Sequence, residues 1–400
     1  MPASSESVKQ AVVLWMGAED GMYEVSGLRL PFFLGGAQKS IAENIKILQR
    51  DYAVTLALMG LRRVPDGCRA PGVRIVPIPP LFRAALPSAS LLRTLGCACP
   101  FGLPGSRREA GLVLVHSHFL SAVLCRLLLP RWRVCVVIEG RFRSLAWSPY
   151  VPLALRCIYF LLALLSVLIV NRVVIDSMQT WPMTSRIRRL RRKTRYVANS
   201  VDLDLFRPEG RRWQPAPLRR GATARVLLYV GRLDFEVQKD PGLLFRAFRA
   251  VRERYPELHL VVVGVARRQF RTLLRRHNGG RREHVHLVAP LANDALPRVF
   301  RGADLTVLTS RYEGTPYAVL ESLACGTPVA TTPVVEPGLI EDGINGFVSR
   351  CHTPERFADA LARGLELSER LRQRGGRDGL LPSRYRLAMR AENLRRALAT

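Results

Sequence analysis

Ser310 to Ala330 (SRYEGTPYAVLESLACGTPVA) holds the densest set of residues able to do chemistry. Two carboxylates, Glu313 and Glu321, stand about two helical turns apart. Such groups accept hydrogen bonds from sugar or ribose hydroxyls. The elements that must hold them are legible. Asp304 to Leu308 is apolar enough for a buried parallel strand. Thr315 suits a helix N-cap and Pro316 the first helical position. Gly326 suits the residue just past the helix end. The expected unit is strand, loop, a helix of about ten residues, turn and strand. Its helix N-terminus lies at a strand's carboxyl end, where open α/β sheets bind ligands and where phosphate is favoured.

A second group lies upstream. Val226 to Val230 reads as a strand that runs into Gly231 and Arg232. Lys239 follows, ahead of Leu243, Leu244, Ala247, Phe248 and Val251 at helical spacing. The chain has only five lysines among 61 basic residues, so a lysine here stands out. Fixed cations at such a strand end stabilise negative charge, as on a phosphate group. Arg grips such a group in a bidentate way and Lys acts as a point charge.

The run from Glu313 through Glu321 to Ala324-Cys325-Gly326-Thr327-Pro328-Val329 resembles the signature of retaining GT-B glycosyltransferases, family 4, also called glycosyl transferases group 1. Two further stretches match. Asn199-Ser200-Val201-Asp202 to Phe206-Arg207-Pro208 is similar to the family's interdomain stretch, with Ser200 in place of the usual Gly. Asp342-Gly343-Ile344-Asn345-Gly346 is similar to its Asp-Gly-x-Asn-Gly turn. The resemblance is strong from Asn199 to Phe347 and weaker before it. It implies two Rossmann-like α/β domains facing a cleft, with a C-terminal helix returning to the first. The boundaries expected are 1–200 for the acceptor domain, 201–224 for a linker, 225–380 for the nucleotide-sugar domain and 381–400 for the returning helix.

The resemblance also implies roles. Arg232 and Lys239 would stand on the donor diphosphate, Glu313 on the sugar and Glu321 on the ribose. Gly314 and Thr315, with Pro316 and Gly231, would frame the phosphates. Gly35 and Gly36 would approach the diphosphate and acceptor, or form an ordinary tight turn. His118 would face the reacting sugar, or pack or cap. The co-substrate would be a UDP- or GDP-linked sugar, with no cofactor, no metal and retained anomeric configuration. Ala266 replaces a common glycine of the family, and Ala289-Pro290 replaces another in the loop that commonly frames the base, which leaves the base open.

The first half reads as a Rossmann unit with weaker signals. Ala11–Met16, Val54–Leu58, Val73–Ile78 and Val134–Ile138 are expected strands. Leu112 to His118 reads as a strand ending in two histidines, His116 and His118, which would share one face. The family often has a His after the next strand; Glu139-Gly140-Arg141 stands there instead.

The formal charge of +29 is carried almost wholly by arginine. It fits either a GC-rich coding bias or attraction to polyanions such as an anionic membrane. Arg186 to Arg195 is the densest basic run, a solvated face or a lipid-headgroup patch. Cys157 to Val170 is uncharged over fourteen residues, short of the about 20 that a spanning helix needs. A buried core helix and an interfacial helix are both open. The eight cysteines show no zinc spacing and read as free thiols of a reducing compartment. Residues 1–10 lack the pattern of a secretory signal. The expected acceptor is a lipid-linked, lipid or glycan molecule, and the expected place cytoplasmic, peripheral at the membrane's inner face. Two rivals are a nucleotide-sugar epimerase, which would lack the Glu-x7-Glu signature, and a basic nucleic-acid-binding protein, for which no motif appears.

Overall fold

The computed structural model describes residues 9–16, 23–25, 28–30, 36–59, 61, 63–78, 110–116, 118–139, 153–177, 187–213, 224–233, 236–265, 267–374 and 379–399. The chain divides into two compact units, Met1–Val197 with Ala391–Thr400, and Ala198–Arg390.

The first unit contains β1 (Gln10–Met16), a small hairpin of β2 (Tyr23–Val25) and β3 (Leu28–Leu30), and α1 (Gly36–Leu48). Then come β4 (Ala53–Met59), β5 (Val73–Ile78), β6 (Gly111–His116) and α2 (Phe119–Leu128). β7 (Arg133–Ile138), α3 (Leu153–Ile169), β8 (Arg172–Ile175), α4 (Arg188–Lys193) and β9 (Thr194–Tyr196) complete it. Its seven-stranded parallel sheet has the order β5-β4-β1-β6-β7-β8-β9. Side chains alternate faces along each strand. Ala11, Val13, Leu112 and Leu114 enter one core with Ile41 and Ile45 of α1. Val12, Leu14, Val113 and Val115 enter the other with Phe119 of α2 and Tyr159 of α3. Both faces are thus covered, which is why these strands read as near-continuous apolar runs.

The second unit contains β10 (Arg225–Val230), the short α5 (Glu236–Lys239), α6 (Pro241–Arg254), β11 (Leu258–Val263), α7 (Arg267–Asn278) and β12 (Val285–Val288). It continues with α8 (Leu296–Gly302), β13 (Leu305–Leu308), α9 (Tyr317–Ala324), β14 (Val329–Thr331), β15 (Gly346–Val348) and α10 (Pro354–Gln373). Its six strands, all parallel, have the order β12-β11-β10-β13-β14-β15. This is a Rossmann order, and it reverses between β10 and β13. The last helix, α11 (Leu387–Ala399), belongs to the second unit up to Arg390 and to the first unit from Ala391. Ala391, Leu394, Ala397 and Leu398 lie in the same core cluster as Ile41 and Ile45.

The structure shifts two local expectations and keeps a third. Pro316, not Thr315, is the N-cap of α9, so the helix starts at Tyr317 and runs eight residues. Gly326 follows the C-cap Cys325 with φ of 75°, as a residue without Cβ allows. β6 ends at His116, and His118 lies beyond it, so the two histidines do not share a strand face. Gly36 opens α1, while Gly35 lies outside the described residues.

Candidate functional site

The switch point of the second sheet is where the candidate residues gather. β10 ends at Val230, and Gly231 follows with φ of 146°, a conformation open to glycine. A Cβ on Gly264, past the end of neighbouring β11, would lie 3.0 Å from the Gly231 carbonyl oxygen. Two glycines therefore let adjacent strand ends approach as bare backbone. Arg232 is exposed, and Leu233 after it is buried.

Lys239 closes α5 and Asp240 follows in the left-handed region, with φ of 41°. Asp240 Oδ1 accepts the Leu243 N–H at 2.9 Å and so caps α6. Its Oδ2 takes Arg311 at 2.5 Å and His352 at 2.9 Å. Burial pushes the Asp240 carboxyl up, but the Leu243 N–H, His352 and Arg311 outweigh it and hold it below the usual range. Backbone links complete the tie. The Arg311 N–H donates to the Gln238 carbonyl at 2.7 Å, and the Thr309 hydroxyl donates to the Lys239 carbonyl at 2.7 Å. The Gln238 amide donates to the Tyr312 carbonyl at 2.9 Å.

This lacing brings two of the candidate side chains together. Lys239 Nζ lies 2.5 Å from Glu313 Oε1, and the Ser310 hydroxyl donates to the same oxygen at 2.5 Å. The side chains are 17% and 9% exposed, so the pair is shielded yet reachable. Thr315 is buried, and its carbonyl accepts the Asn199 amide at 2.9 Å. Asn199 Oδ1 in turn accepts from Arg390 at 3.0 Å. Glu321 is buried on α9, one turn into the helix. Gly314 is half-buried between Glu313 and Thr315. Asn345 fixes the Asp342–Gly346 turn by accepting the Glu341 N–H and donating to the Leu339 and Leu380 carbonyls.

The first unit holds a polar group that sequence reasoning missed. His116 Nδ1 lies 3.0 Å from Glu139 Oε1, and the Asn44 amide lies 3.4 Å from His116 Nε2. All three are buried. Nδ1 therefore faces an acceptor and Nε2 faces an amide donor. The pairing could have been anticipated from Glu139 just past β7, the neighbour of β6 in the sheet. His118 is also buried, and its Nδ1 accepts the Ser121 N–H at 3.2 Å as the N-cap of α2. Of its two expected roles, the geometry displays the cap.

Comparison with known proteins places this arrangement. The fold is that of the GT-B glycosyltransferases, two Rossmann-like α/β units. Sucrose-phosphate synthase from Thermosynechococcus elongatus superposes with a TM-score of 0.69 at 18% identity, covering 98% of each chain. Anabaena HepE, solved with UDP and glucose, gives 0.65 at 14% identity over 98% of this chain and 100% of that one. Residues 224–366, within the second unit, match the family model described as Glycosyl transferases group 1. The D-inositol 3-phosphate glycosyltransferase of Thermobispora bispora is 35% identical over 188 residues, 44% of this chain and 43% of that protein. The same-named protein of Segniliparus rotundus is 31% identical over 213 residues, 48% of this chain and 47% of its own. The matches thus span less than half the length of these curated relatives.

Proposed function

We propose that the chain transfers a sugar from a nucleoside-diphosphate sugar to a lipid-linked, lipid or glycan acceptor, with retention of configuration and without a metal. The observation that carries this reading is the Lys239–Glu313 pair at the switch point of the second sheet. Arg232 and Lys239 supply fixed positive charge for the departing diphosphate. Glu313 holds hydroxyls of the transferred sugar, and Glu321 the ribose. Gly314, Thr315 and the start of α9 offer backbone N–H groups to phosphate. Gly231 leaves room for the diphosphate to approach backbone. His118 acts through the cap of α2, which it already makes.

A uridine nucleotide is the first choice, because Anabaena HepE was solved with UDP and with UDP-glucose. GDP is the second. The curated relatives' inositol phosphate does not settle the acceptor, because the family model covers residues 224–366, the donor half in this reading. The test is a melting-temperature screen against UDP, GDP and ADP, followed by nucleoside-diphosphate release from the matching sugar nucleotides with and without chelator. A rise with one nucleotide, and chelator-insensitive release, is expected. No rise with any of them sinks the reading.

A further inference from the structure

The helix α3 (Leu153–Ile169) has two apolar faces, and among the described residues only one of them is covered. Tyr159, Ala163, Val167 and, just past its end, Val170 sit in the core beneath the sheet. At about 100° per residue these positions share one arc of the helix. The rest of the circumference carries Leu153, Ile158, Phe160, Leu161, Leu164 and Leu165, exposed by 39–67%. Cys157 is exposed there too. Arg156 is the helix's one charged residue. A contiguous exposed apolar arc of this size marks an interaction surface, where isolated exposed leucines mean nothing.

The rim of this surface is basic. Lys193 Nζ donates to the Leu168 and Val170 carbonyls at 2.7 and 3.0 Å, which fastens α4 to the end of α3. Leu190 of α4 is buried in the same core, while Arg188, Arg189, Arg191 and Arg192 are exposed. Residues 153–175 and 187–197 contain no acidic side chain. Lys193 is pushed down to about 8 by burial, with Arg189 and Arg126 adding to it, so α2 contributes charge to the same neighbourhood. Leu127 beside it on α2 is 66% exposed.

We infer that this face of the first unit docks on an anionic lipid bilayer, with the outer arc of α3 lying in the headgroup–acyl boundary and the α4 arginines on the headgroups. The apolar arc and the charge act together, as stable attachment needs. α3 lies on the bilayer and does not cross it. No described helix is long and apolar enough to cross, and the inner arc of α3 is committed to the core. A second copy of the chain is the weaker occupant. Two-fold pairing brings the same patch of each copy to one seam, and so brings the two arginine clusters toward each other. The inference stands apart from the transfer reaction, since docking needs no sugar nucleotide.

The experiment is vesicle flotation of the full chain with phosphatidylcholine alone and with added phosphatidylglycerol. Binding to the anionic vesicles alone, weakened by salt, is expected. Arg191→Glu with Arg192→Glu should lower partitioning by about 10-fold or more. Leu161→Asp with Leu165→Asp should do the same at unchanged melting temperature, because both residues are exposed. Insertion is read separately. With Cys68, Cys97, Cys99 and Cys351 replaced by Ser, a polarity-sensitive dye on Cys157 should shift to the blue on anionic vesicles. No binding at low salt overturns the inference. So does binding with the dye still in water, or binding that survives the two Asp substitutions. A dimer abolished by those substitutions in a chain that ignores vesicles assigns the face to a second copy and overturns it too. The nucleotide-induced melting shift is measured without lipid, so its failure and this one are told apart.

Discussion

Lys239 Nζ and Glu313 Oε1 lie 2.5 Å apart although 74 residues separate them in the chain. The cation proposed for the leaving group and the acid proposed for the sugar therefore hold each other in place. Lys239→Ala should slow transfer by roughly 10²–10³-fold. It also leaves a largely buried carboxylate with one partner fewer, which costs on the order of 1–3 kcal/mol and a few degrees of melting temperature. Arg232→Ala should slow transfer on the same scale. Steady-state rates and melting curves of the two variants check this. Near-normal turnover in either removes that residue from the mechanism.

The two acids should separate kinetically. Glu321→Ala is expected to weaken nucleoside-diphosphate binding, since its proposed contact is to the ribose. Glu313→Ala is expected to lower kcat with the donor still bound, since the sugar it holds is the part that changes in the transition state. Calorimetric titration of both variants decides. Equal loss of nucleotide affinity would show that the division of labour is wrong.

The histidine at the start of α2 allows a test without a change of fold. Asn is as good an N-cap as any residue, whereas Ala removes the acceptor. His118→Asn keeps the cap acceptor and should match the parent in turnover, with a smaller loss of stability than His118→Ala. His118→Ala should lose about 1 kcal/mol. A tenfold fall in turnover for His118→Asn, at a melting temperature above that of His118→Ala, would move the imidazole onto the substrate.

Acid should loosen the second unit in two windows. His259 Nδ1 lies 2.9 Å from His286 Nε2, and the His259 and His284 rings lie tilted to each other with centroids 4.5 Å apart. Burial, with the neighbouring His284 and His286, pushes His259 down from 6.5 to about 4, and His286 is lowered too. The fold thus favours the neutral rings. Their contribution is full above pH 6.5, falls as the unfolded chain takes up protons, and levels off near pH 4. Asp240 is lowered from 3.8, so its contribution is full above that value and is lost further down. Melting temperature against pH should slope between 6.5 and 4, and His259→Gln should flatten that slope. An unchanged slope in the variant would place the proton uptake elsewhere.

Much of the switch-point cluster of the second unit was legible because its signals are local. Glu313, Gly326 and the apolar strand before them lie within one strand–helix–strand stretch, and turn chemistry fixed their order. Gly231, too, announced itself as the residue after a buried strand. What spacing does not carry is contact between distant segments. Asp240 draws on Arg311 and His352, 71 and 112 residues away, and no periodicity encodes those partners. Glu139 was read as an absent histidine and turned out to hold His116. The one-residue shift of the cap from Thr315 to Pro316 has a simpler cause. The Thr315 carbonyl is taken by Asn199, and a proline tolerates the extended ψ of 120° that the cap requires. Nor does an apolar run say which of its sides is covered. Cys157 to Val170 reads alike whether buried or bare, and only the packing of Tyr159 and Ala163 against the sheet separates the two arcs of α3.

The membership of α11 has a bearing on synthesis. Leu394, Ala397 and Leu398 fill the core beside Ile41 and Ile45. Those two isoleucines leave the ribosome hundreds of residues earlier. The nascent first unit must therefore wait, with that core face open, while the whole of Ala198–Arg390 is made. The second unit is contiguous and can fold as it emerges, so the order of completion along the chain is reversed. An apolar surface held open for that long is a target for aggregation and for chaperones. Ribosome-stalled chains ending before Leu394 should stay protease-sensitive in their first half, and become resistant there only once the last helix is out.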